Sequence, residues 1–358
     1  ATPPKSFPAK LAVWLHHRYQ TFKGDESKGV HIIPCELIEK NADNLKRIIL
    51  QLAATWQYEA GFTAWLQSAC TFNNTLVDRI VPGYPRERIA EITAELGYED
   101  KQVVEGEHFH LWVIEGAESL QKELPFPSIG LDVLYVKDLT PYRTRKVRIL
   151  NGAHTTLVPV AYLYGIDTVR EAVEHPVVGK FLREAIFEEI IPTLELSKEE
   201  LEQFADEVID RFRNPFIKHL LMSISLNSWS KFETRVLPSL LGYQQQTGML
   251  PSRLVFSLAA TIAFYKGKRG EETIALNDDA ALIGLLNHAW SKYDGTHSSV
   301  EKVVYEVLAY EKNWKKNLNE VSGLTDAVTV YLISILNDGM KKAIENIHSL
   351  KQVDERVY

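Results

Sequence analysis

From about residue 138 to its end the chain is written almost wholly in helix periodicity, which commits it to a fold with a large helical block. The clearest stretch is Ser197 to Phe212. Ser197 is placed to cap it, and Glu200, three residues on, to close a capping box. Leu201, Phe204, Ala205, Val208, Ile209 and Phe212 mark one apolar face, and Asn214-Pro215 ends it. Further helices are expected at 216–230, 252–265, 277–291, 298–310 and 324–346.

The first 137 residues read differently. Leu11 to Tyr19 suits a helix, Gly29 to Pro34 a short strand, and Ala42 to Tyr58 a helix again, with Leu45, Ile48, Ile49 and Leu52 on its inner face. His108 to Ile114 and Leu131 to Val136 are further strands. A strand feeding a helix is half of a doubly wound α/β domain. The expected organisation is therefore 1–137 as an α/β domain and 138–358 as a helical one. No Gly-x-Gly triplet occurs in the chain, although a dinucleotide-binding fold normally carries one in its first strand-to-helix turn.

Composition excludes several classes. With 358 residues and a formal charge of -7, the chain lacks the positive surface of a general nucleic-acid binder. Its two cysteines, Cys35 and Cys70, build no disulfide framework and suit a reducing compartment such as the cytoplasm. No apolar run reaches the ~18 residues of a membrane span. Oligomeric state is left open by the sequence.

The segment richest in chemistry runs from Tyr142 to His154. On an α-helix Lys146, Asn151 and His154 fall within a sector of about 140°. A lysine of lowered pKa exchanges a proton with a hydroxyl, an asparagine amide stabilises an oxyanion, and a histidine holds either in register. The spacing alone favours a basic helix face with an incidental histidine. Elsewhere, His108 and His110 supply two metal ligands at most, and no spacing completes a site, so no metal is expected. His16-His17 carries no signal. Cys35 lacks an identifiable base. Lys266 to Gly270 reads as a solvated connection.

Lys146-x4-Asn151-x2-His154 resembles the signature of the mannitol dehydrogenase family, the long-chain polyol and uronate dehydrogenases. Phe72 to Pro82, with Val77-Asp78-Arg79-Ile80, resembles that family's second motif, although Cys70 departs from its aliphatic preference. Ile33 to Ile38, Asp138 to Arg143 and Arg213 to Ile217 resemble its tagaturonate reductase branch. The resemblance implies a Rossmann-type domain followed by a mainly helical one, an active site between them, NAD as cofactor and no metal. It implies hydride transfer between D-tagaturonate and D-altronate, with fructuronate reductase or mannitol or mannitol-phosphate dehydrogenase as alternatives. An inactive helical interaction module on the same scaffold is the alternative of another class.

In that reading Lys146 is the general acid and base, Asn151 polarises the carbonyl, and His154 supports Lys146 or binds substrate. Lys231, which ends Asn227-Ser-Trp-Ser-Lys231, resembles a substrate-binding lysine. Arg143 and His219 are added as substrate ligands, with Lys218 weaker. Asn74, Asp78 and Arg79 are expected near the cofactor; Asn73 and Asn74 also suit caps of the following turn, and Asp78-Arg79 a local brace. Leu37 and Ser223 replace polar residues of polyol-specific members, and Arg143, Arg145 and Arg148 favour a carboxylated sugar. The family's phosphate loop is expected upstream of the first residue here, so these 358 residues alone are expected to bind NAD weakly.

Overall fold

The computed structural model describes residues 4–354 except 82, 117 and 217. Pro82 and Ile217, which end two of the motif runs above, lie outside the described residues. The chain divides into two compact units, Ala1–Arg143 and Thr144–Tyr358.

The first unit alternates helices and short strands. In order they are α1 (Phe7–Thr21), β1 (His31–Ile32), α2 (Asn41–Thr55), α3 (Ala60–Ser68), β2 (Thr71–Phe72), β3 (Thr75–Asp78), α4 (Ile89–Leu96), β4 (Leu111–Glu115), α5 (Glu118–Glu123) and β5 (Val133–Val136). β1 runs parallel to β2 with α2 and α3 between them in the chain, and β4 parallel to β5 with α5 between. Parallel neighbours need such crossovers, and these βαβ units make the domain Rossmann-type. β3 joins β4 antiparallel, with Thr75 opposite Ile114. Leu15, Ile49, Phe62 and Leu66 form one core, and Ile114, Leu120 and Val133 another.

The strands are shorter than the sequence suggests. Only His31–Ile32 of the 29–34 run pairs. Gly29 lies so close to the Ala69 carbonyl that any side chain would collide with it. His108 and His110 precede β4, and the His110 ring accepts a hydrogen bond from the Asp132 amide at 3.1 Å.

The second unit is helical. Following α6 (Thr140–Arg145) come a π turn (Lys146–Asn151), α7 (Gly152–Tyr164), α8 (Val169–Glu174), α9 (Pro176–Glu184), a second π turn (Ala185–Ile190) and α10 (Lys198–Phe212). Then follow α11 (Leu221–Ile224), α12 (Ser228–Arg235), α13 (Leu237–Thr247) and α14 (Ser252–Phe264). A small hairpin, β6 (Lys268–Arg269) and β7 (Glu272–Thr273), leads to α15 (Ala280–Ser291), α16 (His297–Leu308), α17 (Glu311–Trp314), α18 (Leu324–Asp338) and α19 (Met340–Asp354). α7 and α14 pack together at the centre. Both are buried on nearly every side, as helices apolar all round must be.

α14 begins in the interior, and its N-terminal amides need acceptors there. Glu189 accepts from the amides of Arg253 and Leu254 at 3.0 and 2.9 Å. The buried Arg253 guanidinium in turn meets Glu184, Glu188 and Glu189. Burial pushes the Glu189 carboxyl up, against the pull of these partners.

Three helix expectations need correction. Ser197 accepts from the Glu200 amide at 3.3 Å, but the Glu200 carboxylate is held by Arg145 at 2.7 Å, so the Ser197 cap is only the first half of a capping box. The complete box is at Thr168 and Glu171. The helix expected at 216–230 is broken: Thr168 and Leu220 form a β-bridge, and Asn227 adopts a left-handed φ of 53° before α12. The 324–346 helix is two, separated at Gly339, whose φ is 80°.

Candidate active site in the helical unit

Lys146 opens the π turn that runs straight into α7. Bonds from i to i+5 widen such a turn, so residues five apart approach one face more closely than the roughly 140° separation of an α-helix allows. Lys146 and Asn151 are five apart, and both are half-buried. The turn packs against α10 and α12.

His154 sits in the first turn of α7 and is buried. Its ring stacks on Phe212 of α10 with centroids 4.1 Å apart, and meets the His219 ring edge-on at 5.2 Å. Its Nε2 has no hydrogen-bond partner among the described residues. Burial, then the positive neighbours His219, Arg235, Arg211 and Lys231, holds the imidazole well below its usual pKa, so it is neutral. Burial also lowers His219.

α12 supplies the cations. Its start is fixed by the Asn227 amide on the Asn277 carbonyl and by the Asp278 carboxylate, which accepts from the Trp229 amide at 3.4 Å and from the Tyr265 hydroxyl at 2.5 Å. Trp229 and Phe232 anchor one side of the helix in the core. Lys231 and Arg235, four residues apart, share another. Lys231 Nζ donates to the Ile224 carbonyl at 2.8 Å. Burial and Arg235 lower its pKa to about 8, against the attraction of Asp278. Burial lowers Arg235 as well. Gly152 permits this approach: a Cβ there would stand 3.1 Å from the Arg235 carbonyl oxygen.

The structure thus gathers His154, His219 and Lys231, with Lys146 and Asn151 on the π turn just before. His219 reaches the cluster from an extended segment, not from the helix the sequence suggested; its carbonyl accepts from the Val169 amide at 3.0 Å. Lys218 is exposed nearby. Ser223 is exposed and donates to the Leu220 carbonyl at 2.7 Å. Arg235 was missed by the sequence reading, although its spacing from Lys231 was the available signal.

The arginines of the strip are largely engaged. Arg145 pairs with Glu200 over the Phe204 ring. Arg148 donates to the Ser239 hydroxyl at 3.2 Å, with its pKa lowered by burial to about 10. Arg143, counted in the first unit, pairs with Glu39 at 2.7 Å.

The other residues of interest in the first unit bracket β3. Asn74 caps α2 rather than the turn after itself: its Oδ1 accepts from the amides of Ala42 and Asp43 at 3.0 and 3.2 Å. Asn73 is buried and donates to the Thr71 hydroxyl. Asp78 is buried, and Arg79 Nε donates to the Glu107 carbonyl at 2.8 Å.

The remaining candidates have structural roles. His16 stacks on Tyr58 and bonds Glu59. Burial raises the Cys35 thiol, which disfavours a thiolate nucleophile. The 266–270 segment is tied down, with Arg269 bonded to Asp167 and Glu272 and Lys266 over the Tyr293 ring. Among the described residues no three potential ligands gather to hold a metal ion, and no helix is long and apolar enough to cross a membrane.

Comparison with known proteins follows the same division. A model of the mannitol dehydrogenase Rossmann domain matches residues 4–128, and one of the mannitol dehydrogenase C-terminal domain matches 138–336. An altronate oxidoreductase of Bacillus subtilis is 52% identical over 96% of this chain and 69% of its own length. One from Klebsiella pneumoniae is 48% identical over 96% and 71%. Among solved structures, Pseudomonas fluorescens mannitol 2-dehydrogenase in a ternary complex with NAD and D-mannitol superposes with a TM-score of 0.72 at 21% identity, over 97% of this chain and 67% of that one. A substrate-free D-sorbitol dehydrogenase gives 0.75 at 22% identity, over 95% and 67%. At that identity the two structures speak for the fold.

Proposed function

Because this chain belongs to the mannitol dehydrogenase family, as an NAD-dependent oxidoreductase with a Rossmann-type and a helical domain, we propose that it interconverts D-altronate and D-tagaturonate. The observation that carries the substrate is the group of half-buried cations around the buried His154, which suits a sugar bearing a carboxylate. The names of the relatives at 52% and 48% identity agree with it.

In the oxidative direction Lys146 takes the proton of the carbinol hydroxyl, and Asn151 donates its amide to the oxygen as negative charge develops. The C–H pair leaves as hydride and the carbonyl forms. In reduction Lys146 returns the proton to the oxygen. His154, neutral and stacked on Phe212, keeps a fixed ring beside this path. Lys231 and His219 bind substrate oxygens. The donor set fits a nicotinamide partner: none of its side chains can carry a hydride, and NAD supplies that carrier when bound. Asn74, Asp78 and Arg79 are assigned to the cofactor side and the helical residues to the sugar side. The proposed division of labour is 1–137 for the cofactor and 138–358 for substrate and catalysis, in a cytoplasmic enzyme.

The test is kcat/KM on D-tagaturonate, D-fructuronate and D-fructose with NADH, using the complete gene product. Tagaturonate is expected to be fastest. Faster fructuronate reduction would move the chain to the epimeric uronate, and faster fructose reduction would sink the uronate reading.

A further inference from the structure

We propose that Arg235 grips the substrate carboxylate and so sets a preference for a sugar acid over a neutral polyol. This rests on the oxidoreductase reading above and deepens it. Arg235 is the last residue of α12, half-buried, and close enough to His154 and Lys231 to depress both. Among the described residues no acidic side chain pairs with it. The other desolvated arginines are matched differently: Arg253 has three glutamates, Arg145 has Glu200, and Arg148 ends on a serine hydroxyl.

Burying the Arg235 guanidinium beside the Lys231 ammonium is unfavourable: Lys231 feels the attraction of Asp278, but no acidic side chain among the described residues pairs with Arg235. The arrangement is relieved when an anion enters. A carboxylate matches the guanidinium fork with two parallel hydrogen bonds, which an ammonium cannot reproduce. Two further features point into the same place. The buried Nε2 of His154 has no partner among the described residues, so a polar group is still wanted there. Gly152 has no side chain where α12 ends, and this brings the Arg235 backbone against the first turn of α7. A cation at a helix C-terminus is favourable in itself, and that is the structural role from which a carboxylate ligand must be separated.

The experiment compares wild type with Arg235→Gln and Arg235→Lys in the complete gene product. With NAD as co-substrate, kcat/KM for D-altronate relative to D-mannitol is expected to fall about 10- to 100-fold in Arg235→Gln, the range for a lost charge-assisted hydrogen bond. The loss is expected mainly in KM, with partial rescue in Arg235→Lys. An unchanged ratio, or an equal loss on both sugars, overturns the assignment. A second readout needs no turnover: the Lys231 ammonium, followed by NMR titration, is expected to move up when the repelling guanidinium is removed. No movement overturns the proximity on which the assignment rests. Should wild type turn over neither altronate nor tagaturonate, the substrate reading fails, and calorimetric binding of D-gluconate against D-glucitol still decides the role of Arg235. Loss of the gluconate preference in Arg235→Gln supports it, and a preserved preference refutes it.

Discussion

Replacing His154 with phenylalanine should make the helical unit less sensitive to acid while removing activity. His154 is buried, stacked on Phe212, and held neutral by burial and by His219, Arg235, Arg211 and Lys231. Its folded pKa is depressed, so the sign follows directly. Above the unfolded value of about 6.5, neither state binds a proton at this ring and stability is unaffected. Below it, the unfolded chain takes a proton that the native site refuses, and unfolding is favoured. At pH 5.5, one unit below that value, the penalty is about 1.4 kcal/mol, against roughly 0.2 at pH 7. A phenylalanine keeps the ring stack and cannot titrate. Urea unfolding at pH 7.0 and 5.5, read by hydrogen exchange in α7, should therefore show wild type losing about 1.2 kcal/mol more than His154→Phe. His219 is present in both proteins, so its own depressed titration largely cancels in the difference. Equal losses in the two proteins would mean that His154 is not held neutral, and the electrostatic account of the site would fall with it.

Lys146→Ala should lower kcat by about 10²- to 10⁴-fold with the fold intact by circular dichroism, since it removes the assigned proton carrier. Near-normal turnover would take Lys146 out of the mechanism. Asn74→Ala should cost about 1–2 kcal/mol in thermal or urea unfolding, because the amides of Ala42 and Asp43 lose their acceptor at the start of α2. A change within error would show that solvent replaces the cap.

What the sequence disclosed and what it withheld follow from the range of the interactions. The apolar face of α10 and the burial of α14 are written in local periodicity, and both elements form close to where that periodicity puts them. The Lys146–His154 strip stands out because three chemically useful side chains fall within nine residues. Its true geometry was not legible, since nothing local announces a π turn. The break near residue 220 depends on a bridge to Thr168, about fifty residues earlier, and periodicity carries no such information. Glu200 shows the same competition in miniature: the local capping box would use its carboxylate, but Arg145, far away in sequence, takes it. Arg235 was overlooked because a lone arginine at a helix end is ordinary; only the fold shows it beside a desolvated lysine and a neutral histidine.

The π turn also makes this helix unusually tolerant of one kind of genetic change. Such a turn holds one residue more than an α-helical ladder of the same length would accommodate. Deleting a single codon between Val147 and Leu150 would let the ladder close as ordinary α-helix without breaking the chain's path into α7. Lys146 would then stand four positions from the asparagine instead of five, about 40° from it on an α-helix and so still on the same face. A point substitution at either residue removes one functional group. A one-residue deletion that spares both would keep them on one face, leaving a helical unit that folds with its proton carrier and asparagine still side by side.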